Sequence, residues 1–264
     1  MRRSAATAVA AVGVVGLSAL FGPPAFAAEA ATSPKIVSVT VNGGRDIVVS
    51  DLTTDLEVPV TAVAQAKAGV AGIGVALWHG PNFNHIDGMK LGRGTPSCVT
   101  VNLTTMSCTD VIDIQGSLRA NLGNPISEND LAGRWAVDAG GTDNNGGFSD
   151  DPHFATVNVL RKARITAETS RTQVKKGKNV TFTGSIKRVD LDTSKFKGYD
   201  EASVQLQFSR EGTDVFTTVM TVKASDGEFS ATVAANRDGR WRWNYAGDKT
   251  TSAATSPVRF VNVV

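Results

Sequence analysis

Residues that carry chemistry are scarce in this sequence: two cysteines, three histidines and two tyrosines in 264 residues. None of them sits in a motif that builds a catalytic centre. There is no Gly-x-Ser-x-Gly elbow, no His-Glu-x-x-His helix and no glycine loop opening a helix to cradle phosphate. Beyond Phe21 no apolar run approaches the roughly 20 residues that a membrane-spanning helix needs. A strong charge of one sign is missing as well, since 27 basic and 25 acidic residues leave a formal +2. Nucleic acid is therefore not an expected partner.

What is present begins with an export signal. Met1-Arg2-Arg3 is a positive start, Ala8 to Phe21 an apolar stretch, and Ala25-Phe26-Ala27 a small-x-small cleavage site, so residues 1–27 are expected to be removed. A secreted, extracellular chain follows, free or loosely associated with a cell wall. In an oxidising compartment the two cysteines, Cys98 and Cys108, are expected to form one local disulfide around a hairpin at Asn102 to Thr105.

The near-neutral total hides an asymmetry. Residues 28–160 hold 7 basic and 14 acidic side chains, a balance of −7; residues 161–264 hold 18 and 11, a balance of +7. Such a split favours cations on the first half and anionic polymers, such as those of a cell wall, on the second. It is also what two mutually attracting solvated surfaces would give.

Apolar residues recur with period two, in a vocabulary of Val, Thr, Ile and Phe, which is the signature of half-buried strands. Val180, Phe182, Gly184 and Ile186 alternate with Thr181, Thr183 and Ser185; Val204, Leu206 and Phe208 alternate with Gln205 and Gln207. Turn signals such as Ser225-Asp226-Gly227 separate the runs. Six or seven short strands per 100 or so residues describe a β-sandwich. Gly133-Arg134-Trp135 is echoed by Gly239-Arg240-Trp241, and Val157-Asn158-Val159 by Val261-Asn262-Val263. The near-equal offsets fit two tandem copies of one topology. The expected domains are 28–160 and 161–264, joined near Leu160-Arg161-Lys162-Ala163 by a linker short enough to fix their angle.

The segments Val174 to Thr181, Val204 to Phe208 and Asp238 to Gly247 resemble the immunoglobulin-like repeats of actinobacterial secreted proteins. That resemblance spans most of residues 165–264. It implies two tandem immunoglobulin-like sandwiches, the first more diverged; some relatives carry a calcium-binding label.

Four constellations are candidate sites. Asp143, Asn145, Ser149 and Asp151 place oxygen ligands at alternate positions of a turn, as a calcium ion would want, although Phe148 and Phe154 stand where a calcium loop needs Gly and Glu. Asn, Asp and Gly also make ordinary turns. Trp241, Trp243 and Tyr245 share one strand face and could stack on a sugar, but a sandwich that buries one face buries aromatics before Arg240, Arg242 and Asn244. The basic side chains Lys175, Lys176, Lys178, Arg240 and Arg242 would then lie outside, as candidates for binding an anionic polymer. His79, His85 and His153 are a weak basis for a metal or hydrolytic site. The expected function is that of a non-catalytic extracellular binding or structural module without a required cofactor. Calcium or carbohydrate binding is the first alternative and a small secreted hydrolase the second.

Overall fold

Alternation of buried and exposed side chains lays down twenty short strands, with no α-helix among the described residues. The computed structural model describes residues 33–50, 56–114 and 126–264; the expected export signal lies outside them. The first half contains β1 (Lys35–Val41), β2 (Ile47–Val49), β3 (Glu57–Gln65), β4 (Val70–His79), β5 (Gly88–Leu91), β6 (Ser97–Asn102), β7 (Thr105–Asp113), β8 (Gly133–Asp143) and β9 (Phe148–Arg161). They form two sheets, ordered β1-β3-β7-β6 and β2-β9-β8-β4-β5. Lettered in chain order, these are A-B-E-D and A′-G-F-C-C′, the arrangement of an immunoglobulin-like sandwich.

The second half repeats this order. Its strands are β10 (Ala163–Ile165), β11 (Glu168–Thr169), β12 (Gln173–Val174), β13 (Lys178–Asp190), β14 (Lys195–Gly198), β15 (Ser203–Arg210), β16 (Thr217–Lys223), β17 (Glu228–Ala235), β18 (Gly239–Tyr245), β19 (Ala254–Thr255) and β20 (Arg259–Val263). One sheet is built on β13, which pairs with β10, β11, β14 and β17; the other runs β12-β20-β18-β15-β16. In each half a short strand pairs in parallel with the last long strand, β2 with β9 and β12 with β20. The two sequence echoes lie on equivalent strands: Trp135 on β8 and Trp241 on β18, Val157 on β9 and Val261 on β20, all buried.

Both interiors follow from the period-two pattern. Val180, Phe182 and Ile186 of β13 pack with Val204, Leu206, Trp241, Trp243 and Tyr245 in the second core. The aromatics thus point inward, and Arg240 and Arg242 outward. In the first half Val58, Val60, Leu77, Trp135, Val137 and Val159 form one core, and Ala62, Ala64, Ile73, Cys108 and Ala139 a second at its far end. The disulfide joins Cys98 on β6 to Cys108 on β7, neighbouring strands of one sheet. It therefore staples an edge strand to the sheet and does not bridge the two sheets.

One residue, Lys162, separates β9 from β10. The halves are also clasped. Val189 and Leu191, carried past the second sandwich by β13, are fully buried in the core of the first, with Phe196 against them. Asn129, in the 3₁₀ turn Asn129–Leu131, ties this insertion down. Its Oδ1 accepts from the Leu191 amide at 3.1 Å and from Arg161 at 2.6 Å, while its own amide donates to Asp192 at 3.0 Å. The Lys162 amide donates to Val49 and its carbonyl accepts from Val189. Asp190 is pulled down to about 2 by its hydrogen bonds from Thr193, then Lys197 and Asn129. Asp190 and Asp192 thus both find partners within the chain.

Leu191→Ala is expected to cost about 2–4 kcal/mol, the range for emptying a well-packed core position; chemical denaturation measures it, and a loss under 1 kcal/mol would remove Leu191 from the core. Opening the Cys98–Cys108 bridge removes a short-loop constraint of about 2–3 kcal/mol. Cys98→Ser with Cys108→Ser should lower the melting temperature by about 5–10 °C.

Candidate functional site

The sheet β2-β9-β8-β4-β5 turns its outer face to solvent, and part of that face has almost no side chains. Period two places Gly72, Gly74 and Ala76 of β4 outward, beside Asp138, Gly140 and Thr142 of β8. The result is a shallow cleft of about 440 Å³, walled by Leu91 of β5 and Phe148 of β9, with Asp138 and Asp150 at its floor. Leu91 is 37% and Phe148 62% exposed, so both walls offer apolar surface to solvent. A Cβ on Gly140 would lie 2.7 Å from Asp150 Oδ1, so glycine there is what lets the second carboxylate lie over the strand. Gly74 is different, since a Cβ there meets nothing within 4 Å. Its absence only opens the cleft.

The two carboxyls share one environment. Asp138 is pushed up to about 6, first by burial, then by its hydrogen bond to Asp150 and the negative charge of Asp150 and Asp151. Near neutral pH the pair therefore binds or releases a proton readily. Farther along the same face Trp78 donates from Nε1 to the Pro152 carbonyl at 2.7 Å, and its ring meets Phe83 and His153 edge to face at centroid distances of 5.5 and 5.0 Å. A bulge in β9 opposite Val137 to Ala139 delivers Pro152 and His153 to this position.

The expected calcium ligands are divided among the end of β8, the turn and β9. Asp143 is buried at the start of the turn, where its Oδ1 accepts from the amides of Asn145 (2.9 Å) and Gly147 (2.6 Å). Ser149 and Asp151 are strand residues, opposite Gly141 and Ala139. The run from 143 to 151 thus holds only a short turn, because polar alternation continues β9 six residues before Phe154. Among the described residues no three His, Cys, Asp or Glu side chains are grouped as a metal site would require.

The basic candidates separate too. Arg240 pairs with Asp214 at 2.6 Å, and Arg242 donates to Gln207 at 2.9 Å and lies 3.9 Å from the Phe216 ring centroid, so both guanidinium groups are engaged within the chain. Lys175, Lys176 and Lys178 lie in and beside the turn between β12 and β13. Lys176 instead meets Arg210 and Arg237, with Glu211 and Asp238, around an open hollow of about 760 Å³. Two distant turns supply these partners, which no local motif could indicate. The histidines diverge: His79 bonds Asp87 at 2.6 Å and lies against Trp135, His85 bonds Asn82, and His153 packs on Trp78.

No protein-family model and no curated protein matches the chain. Among solved structures it is similar to dimeric latent PorU from Porphyromonas gingivalis (10% identity, 93% of this chain and 21% of that one, TM-score 0.32). It is also similar to the D00-D0 domain of Intimin (15% identity, 85% and 99%, TM-score 0.27) and to the adhesin InvE of Yersinia pseudotuberculosis (13% identity, 86% and 58%, TM-score 0.29). The chain thus spans about a fifth of PorU and somewhat over half of InvE. Superpositions this loose carry no functional argument, and the fold rests on the strand order above.

Because the folded pKa of Asp138 lies above its ordinary value of 3.8, its contribution to stability is complete below about pH 4 and is lost as pH rises through 6. Asp138→Asn, neutral throughout, should melt about 2–4 °C above the parent at pH 7.5 and level with it at pH 4. Thermal melts at both pH values test this, and equal melting at pH 7.5 would mean that Asp138 ionises freely.

Proposed function

We propose that the chain is a non-catalytic extracellular binding module whose first sandwich holds a ligand in the cleft over Gly74. The observation that supports this is the pairing of a side-chain-free floor with exposed apolar walls and two adjacent carboxyls. Together they suit an extended ligand with an apolar surface and an amine or hydroxyl group, as in a cationic peptide or an amino sugar. Binding suits such a surface, since the cleft is shallow and lies on rigid strands. For a cationic ligand, affinity should fall below about pH 6, where protonation removes negative charge from the pair.

Gly74→Val puts a branched side chain into the cleft at a position where a Cβ meets nothing within 4 Å, and Asp150→Asn removes a charge. Probes bearing free amines on peptide and glycan arrays should bind the parent. Either variant should reduce that binding at least tenfold while the melting temperature stays within about 2 °C. Binding indifferent to both substitutions, or no binding to any amine-bearing probe, would refute the cleft as the site.

A further inference from the structure

Two edge strands stand out against the rest of the molecule. β6 closes one end of the sheet β1-β3-β7-β6, and every one of its residues is exposed. β16 closes one end of the sheet β12-β20-β18-β15-β16, and six of its seven residues are exposed. An open edge offers unpaired N–H and C=O groups to another chain, and folded proteins usually blunt it with charge, proline or brevity. Most other edges are blunted in some way: β14 carries Lys195 and Lys197, β5 is four residues long, β2, β11 and β12 are shorter still, and β1 and β17 begin with Lys35 and Glu228 and bury part of their length. β6 has no such protection, and β16 has a single charge, Lys223, at its last position. No charged residue occurs between Arg93 and Asp110, nor between Asp214 and Lys223, and both strands are built from Val and Thr. Val99, Val101 and Leu103 are 65%, 61% and 93% exposed, and Val219 and Met220 are 47% and 38% exposed.

Strand geometry makes β6 a usable template. The Cα atoms of Cys98 and Cys108 are 4.0 Å apart, the close spacing of a non-hydrogen-bonded antiparallel pair. Cys98, and Thr100 two residues on, therefore direct their N–H and C=O groups away from β7 toward the open edge. The disulfide holds that edge in place at no cost in exposed backbone.

We propose that β6 of one copy pairs edge to edge with β16 of a second copy, joining copies head to tail. Charge selects this pairing. β6 belongs to the half with a balance of −7 and β16 to the half with +7, so joining β6 to β16 brings opposite charges together, whereas β6 to β6 or β16 to β16 brings like charges together. Because the two surfaces differ, each copy keeps one free edge after joining, and the assembly grows as an open chain. This inference does not depend on the cleft, whose lining lies on other strands.

Sedimentation velocity of the full chain at low salt, up to about 1 mM, tests the proposal in the range of weak interfaces. The parent should form species beyond the dimer, and these should diminish at high salt. Val99→Lys on β6 and Val219→Lys on β16 each place a charge on one edge at a solvent-facing position, and circular dichroism should show both folded. Either variant alone should be monomeric. Mixed, they should form a one-to-one dimer and nothing larger, since each supplies the edge that the other lacks. A monomeric parent at the highest concentration would overturn the proposal. So would a Val219→Lys variant that still dimerises alone, which would mean β6 pairing with itself, or association indifferent to both lysines.

Discussion

Val189 and Leu191 leave the second sandwich on the far end of β13 and complete the core of the first, both with no exposed surface. Burying these two side chains contributes about 3–5 kcal/mol, comparable to a third or more of a typical domain's stability. The link between β9 and β10 can be a single residue because this packing fixes the direction in which the chain leaves. The polar groups around the insertion are then satisfied in place: Asn129 reads the backbone of Leu191, the Asp192 carboxylate and the Arg161 guanidinium together. The two sandwiches share part of one interior.

A sandwich whose interior is settled has its outer faces free for other uses, and here the two halves use them differently. In the second, Arg240 and Arg242 spend their charge on Asp214, Gln207 and the Phe216 ring. In the first, β4 and β8 present glycine and alanine, so the outer face becomes a hollow with Asp138 and Asp150 at its floor. The same division governs the edges. Charges and short strands blunt several of them, while β6 and the stretch 217–222 of β16 run without a charge, one on each half.

Much of the fold was legible because a half-buried strand imposes period two whatever the tertiary context. The inward Trp241, Trp243 and Tyr245, and the disulfide across Asn102 to Thr105, follow from alternation and cysteine spacing alone. Leu191 was not legible. It stands between Asp190 and Asp192, and a lone apolar residue among carboxylates looks like loop until Asn129, 62 residues earlier, is brought beside it. The cleft escaped for a related reason: glycine carries no signal of which face it lies on, and only the register of β4 against β8 puts Gly72, Gly74 and Gly140 on one surface. Asp143 to Asp151 misled in the opposite direction, since turn-forming residues and cation ligands are the same chemical types. Its short turn and early strand appear only when Ser149 is seen opposite Gly141.

Differential scanning calorimetry of the oxidised chain bears most directly on the shared interior. If Val189 and Leu191 couple the sandwiches, the chain melts in one transition whose calorimetric and van't Hoff enthalpies agree, the mark of a single cooperative unit. Two resolved transitions, each with the enthalpy of about 100 residues, would mean that the sandwiches unfold independently and that the insertion couples nothing.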